Sequence, residues 1–422
     1  MTLRGISTIH STIARNFLNA VLVFIFFNVL LFASRLLIPG NLKQPPPEVP
    51  TYQDMTIRRT GFEGITQESF EKIMRVYYYM DVGEIIELIM ESSNVTLTCD
   101  AFSPYREAPF RGLYVNVDEN GFRWLHVGDE NKPPWPIIDD EFVIFIFGGS
   151  STFGYGVGDN LTVSAWLEYY LQEAFNVVKI RVYNFGRAGF SSFEEKILFT
   201  SLVEAGYIPD MAIFFDGLND FRRWSGEVRA DVGCSASDSV NMRERFRNMI
   251  TCDADEICLP VQILAENLTG NFDDSDSADT IDLATGEPPK DDLETNLAII
   301  DRWLSNKIAV EQVARQNQVE LLFVMEPAPM YGYNLKNHLF IDSVQEDDVW
   351  SRHHWGYTLW EERYNDADSA WTDNVLNLVR LGEDNEGPIY VDRIHYTSWF
   401  SEEIAIAIKD YLIQENRLNL PQ

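Results

Sequence analysis

Hydrophobic and polar positions change rhythm several times along this chain. Residues 17–33 ("FLNAVLVFIFFNVLLFA") are almost unbroken hydrocarbon, and Leu36, Leu37 and Ile38 extend the run beyond Arg35. With that extension it approaches the roughly 20 apolar residues that span a bilayer as a helix. Residues 16–38, behind a short tail (1–15), are therefore expected to form a transmembrane anchor, with Arg35 snorkelling to the interface. A cleaved signal peptide would have a shorter apolar stretch followed by a small-x-small site, and "FASRLLIPG" offers no such site. Arg4 and Arg15 precede the span while Arg35 and Lys43 follow it, so the balance of positive charge leaves the orientation open.

Beyond the anchor, "PGNLKQPPPEVP" belongs to a stiff, proline-rich linker over 39–59. Residues 60–139 read as a satellite region, with a helix in "ESFEKIMRVYYYMDVGEIIELIMES" and a hairpin in "NVDENGFRW". From 140 to 418 the pattern becomes strand, helix, strand, helix. Strand candidates are 142–147, 180–184, 211–215, 319–326 and 389–391; amphipathic segments lie at 163–175, 193–205, 293–316 and 401–414. "FVIFIF" is apolar on both faces, as in a parallel strand covered from both sides. The alternation predicts an α/β fold: a parallel sheet of about five strands with helices on both faces and the 144–147 strand central.

Residues 224–290 break this rhythm and read as an insertion, either a lid, a substrate-shaping loop or a disordered excursion. Its acidic run "NFDDSDSADTID" lacks the glycine and the terminal glutamate of a calcium loop.

Composition narrows the partners. A 45% hydrophobic content over 422 residues is ample for a core, and a net charge of -32 argues against binding nucleic acid or an anionic surface through a basic patch. Cys99, Cys234, Cys252 and Cys258 all follow the anchor, without Cys-x-x-Cys or zinc-ligand spacing. An even number downstream of an export signal fits two disulfides, with three possible pairings. Cys252 and Cys258 are near enough to close a small loop, leaving Cys99 with Cys234. Glycosylation triplets begin at Asn94, Asn160 and Asn267, although such triplets also arise by chance. These features favour a body outside the cytoplasm, whether periplasmic, extracellular or luminal.

Candidate chemistry gathers at the strand ends. The first strand stops in "GGSST" (148–152), the second in "NFGRAG" (184–189), the third in "GLND" (217–220), and "DRIH" (392–395) comes near the C-terminus. In a parallel sheet all four lie on the C-terminal rim, where open α/β sheets place ligands. Each block has an everyday reading as a turn, a helix cap or a surface pair. Together, and in this order, they supply what acyl transfer requires: a serine, a histidine base, a carboxylate to orient it, and backbone and amide donors for an oxyanion.

These blocks resemble those of the SGNH (GDSL-type) hydrolase superfamily over roughly residues 140–415, with Gly149 standing where many members carry aspartate. The resemblance implies a flavodoxin-like three-layer α/β/α sandwich. It also implies Ser150 as nucleophile, His395 as base and Asp392 as its partner. Oxyanion donors would be the Ser150 N–H, the Gly189 N–H and the Asn219 side chain. Ser151 is the rival nucleophile. Thr152 rules out the G-x-S-x-G elbow of α/β-hydrolases. No cofactor and no metal are expected.

The activity so implied is a membrane-anchored serine esterase acting on O-acyl, including acetyl, esters of a carbohydrate or lipid. One alternative is an O-acyltransferase modifying cell-surface polysaccharide, and another is a non-catalytic carbohydrate-binding or assembly protein. Trp350, Trp355, Trp360 and Trp371 suggest either a platform for sugar rings or acyl chains, or ordinary packing.

Overall fold

The computed structural model describes residues 67–100, 103, 105–125, 141–175, 178–222, 290–341, 349–366 and 369–418. The expected anchor and linker, the 224–290 insertion with its acidic run, and three of the four cysteines lie outside these residues. Among the described residues no helix is long and apolar enough to cross a membrane. Cys99 is disulfide-bonded, and the pairing expected for it involves residues outside the described set.

The chain first forms helices α1 (Gln67–Val76) and α2 (Val82–Asn94). The sequence pattern suggests one helix here, but Asp81 interrupts it. Its carboxylate accepts the Glu84 N–H while the Glu84 side chain accepts the Asp81 N–H, which closes a capping box and starts a new helix. Two small antiparallel pairs follow: β1 (Leu97–Thr98) with β2 (Arg106–Glu107), and β3 (Phe110–Arg111) with β4 (Asn116–Val117). The expected hairpin is present, turning through Asp118 to Gly121.

Five parallel strands then build the central sheet. They are β5 (Glu141–Gly148), β6 (Lys179–Gly186), β7 (Met211–Asp216), β8 (Glu320–Met325) and β9 (Val375–Asn377), in the spatial order β6-β5-β7-β8-β9. Counted from β5 this is the doubly wound order 2-1-3-4-5. The middle strand is β7, not the expected 144–147 strand, although β5 is paired on both edges.

Alternate residues of each strand enter different cores. Phe145, Phe147, Phe214 and Phe323 pack with Leu198 and Phe199 of α5 (Ser192–Glu204) and Ile300 and Trp303 of α7 (Lys290–Asn317). Ile144, Ile146, Ile213 and Val324 pack on the other face with Leu167 of α4 (Val163–Ala174) and Ile404 and Ile408 of α10 (Ser398–Gln414). The short α3 (Ser150–Phe153) and α6 (Leu218–Arg222) follow β5 and β7 directly. On the first face Phe185, Phe147, Phe214 and Phe323 form a stacked ladder across four strands, with centroids 5.4, 5.0 and 5.1 Å apart. Such aromatic contacts stiffen the sheet near the ends that carry the functional loops.

Two further expectations are corrected. The fifth strand is Val375–Asn377 and not 389–391. Ile389, Tyr390 and Val391 are apolar because they are buried, but they make a tight turn with Tyr396 instead of joining the sheet. Residues 349–365, absent from the expected elements, form α8 (Val349–Asn365), followed by the short α9 (Ser369–Thr372). Trp355, Trp360 and Trp371 are buried in the protein and offer no exposed platform; the Trp350 side chain lies outside what is described.

Candidate active site

Ser150 opens α3 at the end of β5, where Gly149 precedes the first helical residue and Gly154 closes the turn with a left-handed backbone. The sheet thus stops at the point where a serine side chain is held on the rim. Its Oγ lies 2.9 Å from His395 Nε2. His395 Nδ1 lies 2.5 Å from Asp392 Oδ2, and the other carboxylate oxygen accepts the N–H groups of Ile394 and His395 at 2.8 Å each. With Asp392 holding Nδ1–H, the Nε2 lone pair faces the serine. Ser151, the rival nucleophile, is 5% exposed, and Ser150 is the serine that faces the imidazole.

Burial pushes the Asp392 pKa up, but the facing imidazole and the three hydrogen bonds outweigh it and hold the carboxyl below its usual range. The side chains of His395 and Asp392 remain 13% and 20% exposed, which suits a site at a surface rim.

Gly189 lies in the loop after β6 and Asn219 in α6 after β7. Gly189 has φ +69°, which turns the backbone sharply after Ala188. Asn219 Nδ2 donates to Phe190 O at 2.8 Å, leaving the second amide proton for another acceptor. A Cβ added at Gly149 would stand 2.2 Å from that nitrogen, so the amide sits directly against the residue before the nucleophile. Ser150, His395 and Asp392 are thus hydrogen-bonded in a chain and Asn219 lies against Gly149, while Gly189 precedes Phe190, whose carbonyl accepts from Asn219.

Several supporting residues have no sequence signal. Arg123 is fully buried, paired with Asp159, and donates to the carbonyls of Phe153, Gly154 and Val157, so it braces the turn behind Ser150. The Gly189 loop is held from residues 100–107. Glu107 accepts the Ala188 N–H and Tyr105 donates to the Ala188 carbonyl, both at 2.8 Å, while Arg187 is paired with Asp100 at 2.5 Å. Tyr155 lines the site with its ring 5.5 Å from that of His395. A buried charged residue becomes identifiable only when its tertiary partner is known.

Beneath the rim lies a cluster of buried acids. Burial raises the pKa of Glu195, and it lifts Asp216 and Glu326 to about 8 and Asp220 to about 6. Asp220 accepts the Ser192 hydroxyl at 2.6 Å, tying the Asn219 segment to the start of α5. Asp216 accepts Trp303 Nε1–H at 2.9 Å. Among the described residues no group of three or more His, Cys, Asp or Glu is arranged to hold a metal ion.

No family model matches the chain, and no curated protein matches it. It is similar in structure to a catalytic mutant of an acetylxylan esterase from Geobacillus stearothermophilus, at 12% identity and TM-score 0.35, covering 68% of this chain and 99% of that one. A lipase from the goat rumen metagenome is similar at 10% identity and TM-score 0.35, covering 64% of this chain and 96% of that one. A protein assigned as lipolytic, of the G-D-S-L family, from Desulfitobacterium hafniense is similar at 12% identity and TM-score 0.32, covering 64% and 99%. At such low identity and superposition these likenesses carry no residue's role over to this chain.

Proposed function

We propose that this protein is a membrane-anchored, extracytoplasmic serine esterase that cleaves O-acyl esters of a carbohydrate or lipid through an acyl-enzyme. The observation that carries the esterase reading is the hydrogen-bonded chain Ser150–His395–Asp392 with the Asn219 amide against Gly149. Serine is a weak nucleophile until a base takes its proton, and His395 Nε2 is placed to do so. Ser150 Oγ attacks the ester carbonyl carbon while its proton passes to Nε2, and Asp392 stabilises the imidazolium. The carbonyl oxygen, now negative, is met by the N–H groups of Ser150 and Gly189 and the Asn219 amide. Collapse breaks the bond to the alcohol oxygen, which leaves with the proton from Nε2. A water then repeats the sequence on the acyl-serine, releasing the acid and restoring Ser150.

The anchoring half of the proposal rests on the apolar run at 16–38, and the location on that run together with the cysteines that follow it. The test uses the full-length chain in detergent with p-nitrophenyl acetate and longer-chain esters, beside Ser150→Ala. Turnover that Ser150→Ala abolishes supports the esterase; absence of turnover on every ester and on acetylated polysaccharide refutes it. Accessibility of an engineered tag on either side of the membrane tests the location.

A further inference from the structure

We infer that Glu326 is a neutral carboxylic acid that ties the Asn219 segment to the His395 segment and sets their spacing. This positioning role rests on the esterase reading, but the protonation state it requires does not. Glu326 follows β8 and is 3% exposed. Its Oε1 accepts the N–H of Leu218, the residue before Asn219, at 3.2 Å. Its Oε2 lies 3.0 Å from the hydroxyl of Tyr396, the residue after His395. One carboxyl group therefore spans the two loops that bring the amide and the imidazole to Ser150.

Counting protons favours the neutral state. The Tyr396 hydroxyl also lies 2.7 Å from the Pro327 carbonyl, and both neighbours are buried. A phenol has one proton to donate, and a carbonyl oxygen has none. If that proton serves the shorter contact to Pro327, the contact to Glu326 needs a proton from the carboxyl itself. The chain then reads Leu218 N–H to Glu326 C=O, and Glu326 O–H to Tyr396 O–H to Pro327 C=O. Each group of that chain then has a partner without a charge.

The surrounding groups favour the neutral form. Facing Glu326 are Asp216 at the end of β7, Asp220 of α6, Glu195 of α5 within the same acid cluster, Tyr357 of α8, and Tyr390 and Tyr396 of the C-terminal turn. His353 of α8 hydrogen-bonds the Leu218 carbonyl at 2.9 Å. Burial, then the nearby acids, lift the Glu326 pKa to about 8 against the lowering hydrogen bonds. Ionised, it would pull the Tyr396 proton from Pro327 and place a negative charge behind an oxyanion site.

Glutamine matches the neutral acid atom for atom, one acceptor toward Leu218 and one donor toward Tyr396. The test compares full-length wild type, Glu326→Gln and Glu326→Leu by thermal melting and ester turnover. A raised folded-state pKa adds stability that is present below the unfolded value, about 4.3, and is lost as pH rises through the folded one. The melting temperature of wild type minus that of Glu326→Gln should thus fall between pH 5 and 8 and then level off. A flat difference over that range means an ionised Glu326 and overturns the proposal, whether or not any ester is cleaved. In turnover, Glu326→Leu is expected to lower kcat at least tenfold at pH 7 with KM within twofold. Glu326→Gln should recover most of that loss and lack the decline above pH 8 shown by wild type. Glutamine no better than leucine overturns the positioning role. Should Glu326→Leu not fold, Tyr396→Phe removes the acceptor of the same proton and should move the alkaline decline to lower pH; an unmoved decline overturns the role. Wild type inactive on every ester, with the melting difference present, refutes the esterase reading alone.

Discussion

A first side-chain carbon at Gly149 would lie 2.2 Å from the amide nitrogen of Asn219. No real carbon sits that close, so any side chain at 149 must push the amide away from the serine. In this chain the absence of a side chain at 149 lets the Asn219 amide pack where the proposed oxyanion site needs it. Gly149→Ala is therefore expected to lower kcat by roughly 10²–10³-fold with little change in KM, the scale of losing one oxyanion donor. Asn219→Ala should do the same, and the double variant should be scarcely worse than either single one. Additive losses in that cycle would separate the two residues.

In the proposed mechanism Ser150 forms the covalent bond and His395 moves its proton, so Ser150→Ala and His395→Ala should each remove nearly all turnover. Asp392→Asn should leave a measurable remainder, because two backbone N–H groups still find an acceptor at Oδ1 and keep the turn in shape. A fluorophosphonate probe should label Ser150 alone. Peptide mapping that finds the label on the buried Ser151 would reassign the nucleophile.

The site blocks are legible in sequence because their chemistry forces their residue types: small residues where β5 ends, an amide after β7, an acid and a histidine within one turn. The sheet is legible for a related reason, since strands such as 142–147 are covered on both faces and can carry few polar residues. The fifth strand is not. Val375–Asn377 is three residues long, whereas 389–391 is more apolar only because it lies under the C-terminal turn. Arg123, Arg187, Glu107 and Glu326 read as surface charges in a linear pattern, and each is buried against partners 30 to 108 residues away. Periodicity has no means of registering such pairings. Trp355, Trp360 and Trp371 mislead in the opposite sense, being core residues of α8 and the short α9, whose polar positions disguise them.

The cysteines offer a check on the compartment. Cys99 is disulfide-bonded, and if the remaining pair also forms, denatured and unreduced protein should yield no free thiols. Peptide mapping is expected to join Cys252 with Cys258 and Cys99 with Cys234. The longer bridge closes a large loop and should matter more for stability, about 5 kcal/mol in the chain-entropy picture. Reduction should then lower the melting temperature by more than Cys252→Ser/Cys258→Ser does. Four free thiols in the unreduced protein would contradict the disulfide and weaken the case for export.

Acid stability isolates Asp392. Burial opposes its charge, yet the imidazole of His395 and the hydrogen bonds from His395 and Ile394 hold its pKa below the ordinary carboxylate value. A depressed folded-state pKa contributes stability that is present above the unfolded value, about 3.9, and disappears as pH falls through the folded one. Asp392→Asn has no such charge to lose. The melting-temperature gap between wild type and Asp392→Asn is expected to hold steady above pH 5 and to close below pH 4. The direction is the test, because the buried acids Asp216 and Glu326 are shifted upward and act over pH 4 to 8 in the reverse sense. They are common to both proteins and largely cancel in the difference. A gap that widens as pH falls would mean that Asp392 is protonated in the folded protein and does not hold the His395 proton as an anion.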